Sequence, residues 1–193
     1  MPTRSVSVAA AVICLGVILA SPPAGAEEVF LGRVFNMGGP PTAGKTFEFT
    51  LRIEAYSTDE EVVNLAAILA NHGPDALRKE LWNMKEKGWV KIGNSLGYPV
   101  AVFRSIPQEK GRIVRAFSDR PIEMVEAMRG LRSRDFPFGL IELYLDENGN
   151  GEGKLLPAAD ARFNENGTIE IVSLGTQPFR ILNVRRSKAS GKD

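Results

Sequence analysis

Oxygen-bearing side chains recur at alternate positions in Asp146-Glu147-Asn148-Gly149-Asn150-Gly151-Glu152, and that spacing is what a loop needs to wrap a hard cation. Asp146, Asn148, Asn150 and Gly151 fall at the first, third, fifth and sixth positions of a calcium loop. The twelfth position, where a bidentate glutamate belongs, is Pro157, and both flanks read as strands rather than helices. Two readings stand: a calcium site on Asp146, Asn148, Asn150 and Glu152, or a polar hairpin loop whose Asn and Gly residues serve the backbone turn. A second group is Arg120, Arg129, Arg132 and Arg134, which Arg112 and Arg115 extend. Arginine forks grip carboxylates and phosphates through paired hydrogen bonds, so this cluster is a candidate anion-binding site. Asp119, Glu123, Glu126 and Asp135 are near enough in sequence to neutralise it on a solvated surface instead.

Other chemistries are thinly supplied. His72 is the only histidine and falls at an expected helix end, which leaves no multi-histidine metal site and requires any Ser-His-Asp triad to be centred on His72. The Gly-x-Ser-x-Gly pattern of a nucleophile elbow is missing. The one cysteine, Cys14, lies in an export signal, so the remainder has no thiol chemistry and no disulfide. Paired acids are what an enzyme would have to use. Glu142, Asp146, Glu152 and Asp160 come together across a hairpin in sequence, with Glu48 and Glu54 on another strand, and two carboxylates at a set separation hydrolyse glycosides.

The elements that must position these residues follow from periodicity. Residues 1–26 combine Arg4, an apolar run and Ala24-Gly25-Ala26, the small-x-small pattern cleaved by signal peptidase. Cleavage before Glu27 leaves one β-rich domain over 27–186 and a basic tail over 187–193, and places the protein in the periplasm or outside the cell. In 45–56, Phe47, Phe49, Leu51, Ile53 and Ala55 alternate with polar residues, the signature of a strand with one wet face. Thr58 and Glu61 form a capping-box pattern ahead of Val62, Leu65, Ala66 and Leu69. His72-Gly73-Pro74 ends that helix, and a second one carries Leu77, Leu81 and Met84 to Gly88, making a helical hairpin. Strands are expected at 29–35, 45–56, 89–93, 98–106, 112–117, 138–145, 154–163, 168–174 and 179–184, with a short helix over 119–130 and Pro157 marking an edge or bulge. About eight to nine antiparallel strands with inserted helices define an α+β, β-rich barrel or sandwich.

Composition agrees. The 193 residues include 24 Lys+Arg and 23 Asp+Glu, with 44% hydrophobic residues. Losing Arg4 with the signal leaves a formally neutral chain, which lacks the positive field that nucleic-acid binding uses.

The stretches Phe136-Pro137-Phe138-Gly139-Leu140-Ile141-Glu142-Leu143, Gly151-Glu152-Gly153-Lys154-Leu155-Leu156-Pro157 and Gly175-Thr176-Gln177-Pro178-Phe179-Arg180-Ile181-Leu182-Asn183-Val184 resemble a group of small exported bacterial proteins of unassigned activity, most strongly over 89–186. The resemblance implies a bacterial envelope setting and brings no catalytic residues with it. The functional expectation is a non-enzymatic binding protein for an apolar small molecule or an anionic group, without a membrane span after signal cleavage and without a cofactor unless the Asp146 loop takes calcium. The alternatives are a carboxylate-based polysaccharide hydrolase and an envelope structural or assembly protein with a protein partner.

Overall fold

The computed structural model describes residues 27–35, 44–122, 137–163, 169–173 and 178–187. Ten strands and one helix follow in the order β1 (Glu28–Phe35), β2 (Thr46–Ile53), α1 (Asp59–Asn83), β3 (Gly88–Ile92), β4 (Tyr98–Val100), β5 (Val102–Pro107), β6 (Arg112–Ser118), β7 (Phe138–Leu145), β8 (Gly151–Phe163), β9 (Ile169–Ser173) and β10 (Phe179–Ser187). Every pairing is antiparallel. The sheet runs β4-β3-β2-β1-β10-β8-β7-β6-β5, with β9 added on β8. Its two ends, β4 and β5, are consecutive in the chain and separated only by Ala101. The expected strand over 98–106 is thus one bent segment that pairs with β3 before Ala101 and with β6 after it, and the sheet is a nearly closed antiparallel barrel.

Period-two alternation sorts the side chains into two cores. Phe30, Phe49, Phe103, Ile141, Leu143 and Leu155 point inward and are at most 1% exposed. A second cluster on the outer face joins Leu65, Leu69, Leu77 and Leu81 of α1 to Ala101, Val102, Phe138 and Ala161. Each leucine so buried contributes roughly 1.5–3 kcal/mol, which is what holds the helix to the sheet.

The expected helical hairpin appears as one element, kinked at Gly73 (φ 80°, ψ −177°), a conformation that is nearly glycine-only. Pro74 follows in what is effectively a new first turn, where its missing N–H costs little. The capping box forms as expected: the Glu61 N–H donates to Thr58 Oγ1 (3.2 Å) and the Thr58 N–H to Glu61 Oε2 (2.8 Å). Lys87 Nζ then donates to Glu61 Oε1 (2.8 Å), tying the helix start to the segment after it. The helix stops at Met84, short of Gly88. Gly88 instead opens β3 at φ 156°, where a Cβ would lie 2.1 Å from the Arg52 carbonyl oxygen.

Pro157 marks a bulge. Leu140 pairs with Leu156 and Phe138 with Ala159, so β8 gains a residue there. Because of that extra residue, Leu155 faces the barrel interior while Ala161 faces α1. Residues 123–130 of the expected short helix lie outside the described residues.

Candidate functional site

The outer face of β5, β6 and β7 is built in rows by the strand register. Val102, Phe117 and Leu140 are cross-strand neighbours, and the next row is Arg104, Arg115, Glu142 and, on β8, Lys154. Helix α1 packs over this face and leaves a groove of about 450 Å³. Leu65, Leu69 and Leu77 roof it, Phe117 and Leu140 floor it, and Arg104, Arg115 and Glu142 stand along it. Arg104 donates to the Ser57 carbonyl (2.9 Å) and to Asp59 Oδ1 (2.5 Å). Arg115 Nε donates to Glu142 Oε1 (2.5 Å), whose other oxygen accepts from the Tyr144 hydroxyl (2.7 Å).

A second polar constellation closes one end of the barrel. Glu28 shares the parity of inward-facing Phe30 and Val34, and Arg112 that of Val114 and Ala116. Asn183, in a left-handed conformation (φ 53°), breaks the register of β10, and Arg186 reaches the same carboxylate. Glu28, 5% exposed, accepts from Arg112 (2.7 Å), Arg186 (3.0 Å) and the Tyr56 hydroxyl. Burial foremost, then the hydrogen bond to Glu28, holds the Tyr56 phenol well above its ordinary pKa. Burial by itself would pull Arg112 down, but its contacts with Glu28 and Tyr56 outweigh that and raise it. Sequence reasoning missed this cluster, although the parity of Glu28 with Phe30 was there to read.

The residues singled out from sequence fare differently. Asp146 Oδ1 accepts from the backbone N–H groups of Asn148 (2.9 Å) and Asn150 (2.8 Å), while its own N–H donates to the Asn150 carbonyl (2.8 Å). Glu152 accepts from Arg180 (2.8 Å). The Asp146 carboxylate thus organises the hairpin, and among the described residues no three His, Cys, Asp or Glu side chains are grouped as metal ligands. Arg120 lies 4.6 Å over the Trp82 ring and donates to the buried Asp119. Arg129, Arg132 and Arg134 lie outside the described residues. Arg112 and Arg115, three residues apart on one strand, take opposite faces and do not act together. The acids Glu142, Asp146 and Glu152 are each held by separate partners, and Asp160 is buried at 2% exposure.

The class defined by these features is a nearly closed antiparallel barrel with a helix laid across its outside. No family model, no curated protein and no solved structure matches the chain.

Proposed function

We propose that the chain is an exported bacterial binding protein that holds a largely apolar small molecule in the groove between α1 and the β5–β8 face, and that it acts without catalysis. The groove carries this reading: its volume of about 450 Å³ falls within the range of small-molecule sites, which are apolar with a few placed polar groups. The barrel interior is a poor alternative, because phenylalanine and branched aliphatic side chains fill it and close-packed interiors leave few voids. Export fits the signal pattern of residues 1–26 and the C-terminal likeness to small exported proteins.

Ala66 lines the groove and is half-buried on α1, so a larger side chain there fills the site without disturbing the leucines. Ala66→Phe is expected to weaken binding of the neutral fluorescent probe N-phenylnaphthylamine by at least roughly tenfold, with the thermal melting curve little changed. Equal probe binding by the variant would refute the groove as the site. Native mass spectrometry of protein from its own host should show a retained small molecule.

A further inference from the structure

One pair in the groove runs against the usual economy of a sheet. Arg104 and Arg115 are directly opposite each other on β5 and β6, and like charges in that relation repel. Of the side chains that line the groove, Arg104 and Arg115 carry two positive charges and Glu142 the one negative charge. One positive charge is in surplus. The partner of Arg104 is a weak anchor, since Asp59 is 89% exposed and such pairs contribute little. An apolar channel that ends on an unbalanced arginine pair complements a molecule with an oily chain and a single negative head.

We infer that the groove takes a single-chain aliphatic carboxylate, its tail between the α1 leucines and Phe117 and Leu140, its head on Arg104 and Arg115. The inference rests on the groove reading above and adds the head group. Arginine's planar fork matches a carboxylate through two hydrogen bonds, and one surplus charge suits a monoanion better than a phosphomonoester. The ligand's carboxylate competes with Asp59 for Arg104 while Arg115 keeps Glu142 at its side.

The test is displacement of N-phenylnaphthylamine from the delipidated, exported protein at neutral pH by hexadecanoate, hexadecanol and hexadecyl phosphate. Hexadecanoate should displace the probe at a concentration roughly tenfold or more below that of hexadecanol, the factor a charge-assisted hydrogen bond supplies. Arg115→Gln and Arg104→Gln should each shrink that preference, with thermal melting curves that show the variants are folded, and an undiminished preference in both would overturn the assignment of the head group to these arginines. Equal displacement by acid and alcohol would remove the head-group site and leave the groove standing. Stronger displacement by the phosphate would overturn the carboxylate, and failure of the protein to bind the probe at all would sink both readings.

Discussion

Glu28 is a single carboxylate serving three donors, with Arg112, Arg186 and Tyr56 converging on it at a barrel end. Removing one member of such a set leaves charges without compensation. Glu28→Ala is expected to cost about 3 kcal/mol, the low end for breaking a buried pair because Arg186 is about half exposed. A lower urea midpoint with an unchanged slope is the measurement. The same cluster sets an alkaline limit. Tyr56 has a folded-state pKa above its unfolded value, so its contribution is fully present below the ordinary tyrosine value of about 10 and is lost as pH rises from there through the folded value. The urea midpoint of the wild type should therefore fall more steeply above pH of about 10 than that of Tyr56→Phe. Parallel curves would show that Tyr56 has no such role. These contacts were invisible as a site in the sequence because the four residues are separated by up to 158 positions from Glu28 to Arg186, and only the closing of the sheet brings them together.

At the scale of elements, local signals were strong and their joins were not. The capping box at Thr58 and Glu61 forms as its residue types demand, and the apolar stripe of α1 becomes the helix's buried face. What followed Gly73 was harder to read, since Gly-Pro punctuation fits both a loop between two helices and a one-residue kink. The kink gives a clear expectation. A Cβ at Gly73 meets nothing within 4 Å, so Gly73→Ala should destabilise by about 1–3 kcal/mol through backbone strain alone. Circular dichroism melts would detect it, and an unchanged melting temperature would mean that the two arms of α1 tolerate another arrangement. In β8, Leu155, Ala159 and Ala161 share one parity in the sequence. The bulge at Pro157 divides them between the barrel interior and the helix, a switch that period-two reading carries no means of locating beyond the proline itself.

For the whole molecule, β1 begins at Glu28, directly after the expected cleavage point, and Glu27 already pairs with Arg52 at 2.9 Å. Intact-mass measurement of the protein recovered from periplasm or medium should accordingly give a chain starting at Glu27. Recovery only in membranes with residues 1–26 attached would contradict export. The two ends of the sheet meet through Ala101, and the linker before α1 is stitched to that seam by the Ser57 N–H donating to the Phe103 carbonyl (2.8 Å) and the Phe103 N–H to Ser57 Oγ (3.3 Å). From the sequence alone one could read the position of most strands, their antiparallel sense and the buried face of β2, because each rests on spacings within a few residues. Tertiary structure alone decided that the ends of the sheet join, that α1 lies outside rather than within it, and that Arg104 and Arg115 face one groove while Arg112 turns inward to Glu28. Those outcomes depend on register and closure, which are properties of strands far apart in the chain and are written in no single segment.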